Sequence, residues 1–187
     1  MSINDEKIEL RVKIRQLLEE LPQDYIDLSD ERIAENVINS EAFKSAKRIF
    51  AYYSVDREVG TEKIILEALR QGKEVALPVS LAKSRMVFRE VKNLDLLKVG
   101  RYGIPEPDRN APLVDITQID LAVIPCVSCS HDGKRLGHGG GYYDRFLERY
   151  SGKAVMLCYE ELTEENIPLE EHDRTVLPVI TQRGVFR

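Results

Sequence analysis

The residues best suited to chemistry in this chain lie in one segment, Arg135-Leu-Gly-His-Gly-Gly-Gly-Tyr-Tyr-Asp-Arg145. Four of the five positions from 137 to 141 are glycine, which is conformationally costly unless something must approach the main chain closely. Apolar residues at helical spacing follow, so the turn should lead into a helix. The N–H groups and the dipole at a helix N-terminus favour an anion, and the segment therefore predicts a phosphate site.

Charged and aromatic neighbours extend this prediction. Arg135 and Arg145 bracket the turn and could hold phosphate oxygens bidentately. Asp144 either complements the helix dipole or, beside a phosphate, supports Mg²⁺. Tyr142 and Tyr143 either belong to the core or stack on a planar heterocycle. A tight structural turn with no ligand remains the alternative reading of the segment.

Two common nucleotide fingerprints do not fit the glycine segment. The Gly-Lys-Ser/Thr ending of a P-loop is absent from the segment, so the usual phosphate lysine and Mg²⁺ hydroxyl are missing. Tyr142 stands where the dinucleotide fingerprint requires its third glycine. The segment is therefore a nucleotide-site candidate of another type.

The elements that must position this segment alternate in an α/β pattern. We predict helices at 5–20, 29–39 and 61–72 and strands at 48–53, 74–77, 86–91, 121–124, 154–157 and 179–181. Asn4 and Thr61 are the expected N-caps, Pro78 is expected to stop a strand, and 100–118 is expected to be an ordered loop. The predicted fold is an α/β three-layer sandwich with a largely parallel central sheet. Ligands of such sheets sit beyond the carboxyl ends of the strands, where residues 137–141 fall.

Composition limits the function classes. The chain has 187 residues, 43% of them hydrophobic and 32% charged, which fits a single domain spanning 1–187. A net charge of −5 without a polybasic stretch predicts no nucleic-acid partner. We find neither a long apolar run nor a signal peptide, so we expect no membrane partner. Three cysteines suit a reducing compartment, and we expect a cytoplasmic protein.

Several segments together match the motifs of one known family. They are Lys7-Ile-Glu-Leu-Arg11, Tyr53 to Thr61 with Glu58, Gly103-Ile-Pro-Glu-Pro107, Arg135 to Asp144, and Ile167-Pro-Leu-Glu-Glu-His-Asp173. In this order they resemble the 5-formyltetrahydrofolate cyclo-ligase family, also called methenyltetrahydrofolate synthetases. The fourth segment is similar to that family's signature Arg-Leu-Gly-x-Gly-x-Gly-Tyr-Tyr-Asp, which is long and specific.

The resemblance implies an activity and a fold. The activity would be an ATP- and Mg²⁺-dependent ring closure that gives 5,10-methenyltetrahydrofolate, ADP and phosphate. The formyl oxygen would attack the γ-phosphorus, and the second folate nitrogen would then displace phosphate from the activated carbon. The fold would be similar to that of the NagB, RpiA and CoA-transferase proteins, and we expect a monomer whose partners are its small-molecule substrates.

The resemblance also implies roles for individual residues. The implied ATP-binding residues are Lys7, Arg11, Arg135, Gly137, His138, Gly139, Gly140, Gly141, Tyr142 and Tyr143. The implied folate-binding residues are Tyr53, Glu58, His138, Gly139, Gly140, Gly141 and Tyr142. Asp144 and Asp173 would support the metal ion. Arg135 would act in catalysis, and we add Arg145 on electrostatic grounds. Without the resemblance, Lys7 and Arg11 would be ordinary i,i+4 charges on an amphipathic helix.

Some residues depart from the family pattern. His138 stands where bacterial members often have Tyr, Leu177 where a second acidic residue commonly follows, and Gln182 where Glu is frequent. The stretch Cys126-Val-Ser-Cys129-Ser130 replaces the usual Gly-x-x-Phe-Asp. These departures affect local packing and metal affinity and leave the glycine motif intact.

Two alternative functions stay open. Cys126-x-x-Cys129-x-His131 fits part of a zinc or thiol-redox module, for which zinc would need a further ligand such as Cys158, His138, His172 or a carboxylate. We expect instead that the cysteines are small buried core residues. The other alternative is a catalytically silent folate or nucleotide binder that keeps the fold.

Overall fold

A computed structural model describes residues 2–81 and 85–187. The helices are α1 (Ile3–Glu20), α2 (Gln23–Asn39), α3 (Glu41–Ser45), α4 (Glu62–Arg70) and α5 (Tyr142–Arg149). The strands are β1 (Arg48–Phe50), β2 (Glu74–Ser80), β3 (Met86–Val91), β4 (Lys98–Val99), β5 (Pro105–Glu106), β6 (Leu113–Val114), β7 (Leu121–Pro125), β8 (Ser128–Cys129), β9 (Arg135–Leu136), β10 (Lys153–Leu157), β11 (Val179–Thr181) and β12 (Gly184–Phe186).

One eight-stranded sheet organises the molecule, in the order β12-β11-β10-β7-β1-β2-β3-β6. The five strands from β11 to β2 run parallel to one another. The pairs β11–β12, β2–β3 and β3–β6 are antiparallel and lie toward the two edges. Two short hairpins, β4–β5 and β8–β9, stand outside this sheet. The predicted α/β fold with a largely parallel sheet is confirmed.

The direction of the crossovers places the site. The chain passes from β1 through α4 to the neighbouring β2, and from β7 through α5 to β10 on the opposite side. Because such crossovers are right-handed, α4 and α5 cover opposite faces of the sheet. The strand order therefore switches direction between β1 and β7, which are parallel neighbours. A crevice at the carboxyl ends of strands beside such a switch point is where open α/β sheets bind ligands.

The core is built from apolar runs that the sheet buries on both faces. All five residues of β7 are buried, as expected for a central parallel strand. An aromatic cluster centred on Phe50 of β1 connects the sheet to α5. The Phe50 ring lies 4.8 Å from Phe88, 5.1 Å from Phe146 and 6.3 Å from Tyr143, measured between centroids. Since Phe146 and Tyr143 belong to α5, this cluster fixes the helix that follows the glycine turn.

The N-terminal helices differ from the sequence prediction in their starts. Asn4 was the expected cap, but Ser2 caps α1: its hydroxyl accepts from the Asp5 N–H at 3.2 Å, and Asp5 accepts from the Ser2 N–H at 3.1 Å. This reciprocal capping box satisfies two donors that Asn4 would leave open. The second helix begins at Gln23, directly after Pro22, because a proline at a helix start loses no helical hydrogen bond. Thr61 precedes α4, but its hydroxyl donates to the Tyr52 carbonyl instead.

The strands near the sheet edge also differ. Pro78 does not stop β2, which continues to Ser80. The pairing with β1 ends at Ala76, so no hydrogen bond to β1 is lost at the proline. The segment 86–91 is paired on both sides, because β6 from the predicted loop forms the edge. The first predicted strand ends at Phe50 rather than at residue 53, and β12 follows the strand predicted to be last.

Truncating the centre of the aromatic cluster should destabilise the fold. Phe50 is fully buried, so Phe50→Ala removes its contacts to both the sheet and α5. We expect the free energy of unfolding in urea to fall by about 3–5 kcal/mol. The matched control is Val99→Ala, at a side chain that is 83% exposed, which should change it by less than about 0.5 kcal/mol. Equal effects of the two variants would contradict the assigned role of Phe50.

Candidate functional site

The glycine turn, residues 137–141, connects β9 to α5 and leaves room below it for the side chain of Arg135. Gly141 is the N-cap of α5 with a left-handed φ of 66°, and no side chain caps this helix start. A Cβ on Gly137 would lie 2.8 Å from Nη1 of Arg135, so a side chain at 137 would displace the guanidinium from this position. The predicted anion site would lie at this turn and at the first N–H groups of α5, which no side chain caps.

Arg135 is buried beneath the turn. Its side chain is 3% exposed, and its guanidinium donates to Oδ1 of Asp144 at 2.7 Å and to the Pro125 carbonyl at 3.3 Å. It also lies 5.9 Å from the centre of the Tyr143 ring. This contact set joins β9 to α5 and to the end of β7. Removing Asp144 would leave a buried charge uncompensated, so the pair contributes to stability as well as to the charge of the site.

Arg11 brings the first helix to the turn. Its Nε donates to the carbonyl oxygen of Gly137 at 2.7 Å. Burial and the neighbouring charge of Arg15 lower the pKa of Arg11, while the charges of Asp173 and Asp144 oppose this shift. Arginine nevertheless stays protonated in proteins. The predicted phosphate ligand Arg11 thus lies directly against the glycine turn.

Lys7 lies one helical turn before Arg11 and is held by two carboxylates. Its side chain is 7% exposed, and Nζ is 2.7 Å from Oε2 of Glu170 and 2.5 Å from Oδ2 of Asp173. Burial favours the neutral forms of Lys7 and Asp173, but the hydrogen bonds outweigh it. The pKa of Lys7 is therefore raised and that of Asp173 is lowered. The partner Glu170 was not predicted from the sequence, although it lies within the matched segment 167–173.

Glu58 and His138 face each other across the site. His138 Nε2 lies 3.3 Å from Oε1 of Glu58, and Oε2 of Glu58 accepts from the Val55 N–H at 3.0 Å. Both residues line a cavity of about 70 Å³ at the carboxyl ends of β1, β7 and β10. The rest of its lining is Ile14, Arg15, Leu18, Arg57, Val59, Cys126, Val127, Cys158, Tyr159 and Leu162. The predicted folate residue Glu58 and the predicted site residue His138 are thus brought together.

Four predicted site residues remain, and their side chains lie in different surroundings: Tyr142, Tyr143 and Arg145 of α5, and Tyr53 after β1. Tyr143 packs against Phe50, and burial raises its pKa, so this tyrosine belongs to the core. The hydroxyl of Tyr142 lies 3.3 Å from that of Tyr102, in the segment after β4. Arg145 is exposed and donates to the Gly140 carbonyl at 2.7 Å, which supports the turn from outside. Tyr53 follows β1, is partly buried and packs against the core.

The two predicted metal carboxylates are each paired with a cation. Asp144 uses Oδ1 for Arg135, and Asp173 uses Oδ2 for Lys7 and the Glu170 N–H. The second oxygen of each carboxylate is not used in these contacts. Within the described ranges, Asp173 groups with Glu170 and His172, without Asp144, as a set whose atoms could hold one ion. Because Mg²⁺ keeps several waters, contact with the two aspartates through water fits this donor set better than direct shared ligation.

Two features of the site had no clear signal in the sequence. Arg57 anchors the loop after β1 by donating from Nε to the Leu18 carbonyl at 3.1 Å, and it also lines the cavity. Tyr159 donates to Oδ1 of Asp30 at 2.7 Å, and the same oxygen accepts from the Gly60 N–H. Each contact joins residues that are distant in the chain, and neither follows from spacing or residue type.

Comparisons with known proteins identify the family of this chain. Residues 3–182 match the model of the 5-formyltetrahydrofolate cyclo-ligase family. The 5-formyltetrahydrofolate cyclo-ligase of Saccharomyces cerevisiae is 32% identical, over 94% of each chain. That of Haemophilus influenzae is 29% identical, over 92% of this chain and 95% of its own. The chain belongs to the 5-formyltetrahydrofolate cyclo-ligase family.

Solved structures show the same fold. The solution structure of the 5,10-methenyltetrahydrofolate synthetase of Aquifex aeolicus superposes with a TM-score of 0.85 at 30% identity, covering 97% of this chain and 92% of that one. The synthetase of Mycoplasma pneumoniae superposes with a TM-score of 0.77 at 21% identity, covering 94% of this chain and 98% of that one.

Among the described residues, the helices are all too short or too polar to cross a membrane.

The Lys7–Asp173 pair predicts a pH-dependent contribution to stability. The folded pKa of Asp173 is lowered, so its contribution is present above its ordinary value of 3.8 and is lost as the pH falls through the lower folded value. The raised pKa of Lys7 keeps its contribution until the pH rises past its ordinary value of 10.5. Asp173→Asn should therefore reduce the free energy of unfolding at pH 7, and the difference from wild type should shrink below about pH 4.

Urea unfolding of both proteins at a series of pH values measures this difference. Glu161→Gln is the control, because its partner Arg183 is exposed and the pair should contribute little. A difference for Asp173→Asn that stays constant from pH 7 down to pH 3 would contradict the ion-pair account.

Proposed function

We propose that this chain catalyses the ATP-dependent cyclisation of 5-formyltetrahydrofolate to 5,10-methenyltetrahydrofolate, with release of ADP and phosphate. The observation that carries the proposal is the pair of guanidinium groups, Arg11 and Arg135, against a glycine turn at the switch point of the sheet, with Lys7 one helical turn before Arg11. A cavity lined by Glu58 and His138 lies at the same end of the sheet. Family membership supports the choice of folate as the second substrate.

The phosphates of ATP would lie against the glycine turn. Arg11 contacts the Gly137 carbonyl, and Arg135 lies below the same residue, so both guanidinium groups face this part of the main chain. The first N–H groups of α5 add donors that no side chain caps. Lys7 lies one turn before Arg11 in α1, and the carboxylates of Glu170 and Asp173 hold its ammonium group in place. Catalysis of phosphoryl transfer consists mainly of such positioning and charge stabilisation.

The folate would bind beside the turn with only part of its ring against this cavity, because a volume of about 70 Å³ is smaller than the ligand. Glu58 is fixed there by the Val55 N–H, so its other oxygen can accept a hydrogen bond from an N–H of a bound heterocycle. His138 faces the same carboxylate. Tyr142 lies at the start of α5 and would contact the substrate from the side of the turn. Apolar walls such as Ile14 and Leu18 suit the flat ring.

The proposed reaction has two steps. The formyl oxygen attacks the γ-phosphorus, the bond to the β,γ-bridging oxygen breaks, and ADP leaves. The second folate nitrogen then attacks the activated carbon and loses its proton to solvent, the carbon–oxygen bond breaks, and phosphate leaves. Arg11, Arg135 and Arg145 would oppose the charge of the transferring group. Asp144 and Asp173 would orient Mg²⁺ through its waters, and the ion would supply further charge neutralisation on the phosphates.

We also propose that the protein is a cytoplasmic monomer with a single domain.

A direct assay tests this proposal. Purified protein is mixed with Mg-ATP and 5-formyltetrahydrofolate, and the absorbance of the methenyl product is followed. Wild type should form the product and ADP in equal amounts. Arg11→Ala should lower kcat/KM by about 10²–10³, the cost of removing one preorganised donor to a developing charge.

The matched control lies on the same helix. Lys13 is 56% exposed and pairs with Glu164, so Lys13→Ala removes a cation of α1 outside the site. This variant should keep nearly wild-type kcat/KM. Folded protein that binds ATP and the folate without forming product would overturn the enzyme proposal and identify a silent binder.

A further inference from the structure

All three cysteines of the chain come together at one point beside the proposed folate cavity. The sulfur atoms of Cys126, Cys129 and Cys158 lie within 4.8 Å of one another. Cys129 and Cys158 are buried, while Cys126 is partly exposed. Cys126 follows β7, Cys129 belongs to the β8–β9 hairpin, and Cys158 follows β10. Two segments, the one after β7 with Cys126 and Cys129 and the one after β10 with Cys158, therefore bring thiols to the same place, which the proposed cyclisation does not use.

The donor set selects the type of cation. Thiolates bind soft or borderline ions such as Zn²⁺, whereas Mg²⁺ takes oxygen ligands. With Zn–S distances of about 2.3 Å, tetrahedral ligation needs sulfurs about 3.8 Å apart, so small side-chain shifts close the site. A disulfide would use two thiols and leave the convergence of the third unexplained. His131 is not one of the ligands, because its ring stacks on Phe186 and its Nε2 contacts Glu160 at 3.1 Å.

We propose that Cys126, Cys129 and Cys158 form a Zn²⁺ site in the wall of the folate cavity, with the fourth coordination position open to the cavity. Binding deprotonates the thiols and releases their protons to solvent, so that three thiolates hold one divalent ion. Cys126 and Cys158 line the same cavity as Glu58 and His138. The bound ion therefore competes with the folate and inhibits cyclisation. This inhibition rests on the proposed function, whereas the metal site itself does not.

Metal binding is measured on the reduced, chelator-treated full-length protein with Co²⁺ as a spectroscopic probe. We expect one Co²⁺ per chain, with thiolate charge-transfer bands and the strong visible bands of tetrahedral coordination. Zn²⁺ should displace it. Losing a residue that only hydrogen-bonds to a metal ligand costs about 10–100-fold in metal affinity. Losing a ligand itself should cost more, so Cys158→Ser and Cys126→Ser should each lower the Co²⁺ affinity by at least about 100-fold.

His172→Ala is the matched control, because it removes a ligand from the other potential metal group and should leave Co²⁺ binding at the thiols unchanged. Thermal unfolding confirms that each variant is folded. Cys126 is the second cysteine substituted because it is the most exposed of the three thiols. Absence of the charge-transfer bands, or bands that persist in both cysteine variants, would overturn the site. Loss of two protons by mass after mild oxidation, without metal binding, would assign a disulfide instead.

The effect on activity is tested separately. One equivalent of Zn²⁺ should slow methenyl formation at subsaturating folate, excess folate should restore the rate, and Cys126→Ser should remove the inhibition. Zn²⁺ binding without any change in rate would overturn the competition with folate. Co²⁺ binding by a chain that forms no methenyl product would contradict the proposed function and leave the metal site standing.

Discussion

The buried contact between Arg135 and Asp144 is the constraint on which the rest of the site depends. The guanidinium is 3% exposed, and its carboxylate partner lies 2.7 Å away in the first turn of α5. Breaking a buried pair by removing one partner typically costs about 3–5 kcal/mol. A side chain at 137 would force the guanidinium to shift, because a Cβ there would lie 2.8 Å from its Nη1. Arg135 thus ties α5, which also packs on Phe50, to the glycine turn and places positive charge beneath the turn.

The topology explains why the other site residues gather around this contact. β1 and β7 are parallel neighbours from which the chain crosses over in opposite directions. The loop after β1 carries Glu58, and the segment after β7 leads to Arg135 and His138. α1 then places Lys7 and Arg11 against these ends, with contacts to Asp173 and Gly137. Because Asp173 contacts Lys7, the segment between β10 and β11 that carries Asp173 also borders the site.

Local patterns in the sequence predict the strands and the glycine turn well, because they depend on neighbouring residues. The run Leu121–Pro125 is apolar throughout, and the structure buries all of it. Elements stabilised by distant partners could not be predicted in this way. β6 is two residues long within a proline-rich stretch and exists because it pairs with β3. The start of α1 at Ser2 depends on a side-chain contact that competes with the cap expected at Asn4.

The same distinction between local patterns and contacts with distant residues applies to the residues of the site. The family motif identified Lys7 and Asp173 as site residues, but their direct contact spans 166 positions and is visible only in the fold. The sequence placed Cys126 and Cys129 in one motif with His131 and left the further ligand open among Cys158, His138, His172 and a carboxylate. The structure brings Cys158 to the two cysteines and leaves His131 out of the group. Tyr143 belongs to the glycine motif, yet its ring faces the core because α5 must pack on Phe50.

Amide hydrogen exchange tests the central claim, that ATP phosphates lie against the main chain of the glycine turn. Exchange is compared for the protein alone and with saturating Mg-ATP, whose binding is confirmed by calorimetry. The account predicts slower exchange in the peptide that covers residues 137–144, with no change in the exposed groove between α2 and α4 lined by Glu35, Leu66 and Arg70. Bound Mg-ATP that leaves exchange in 137–144 unchanged would contradict it.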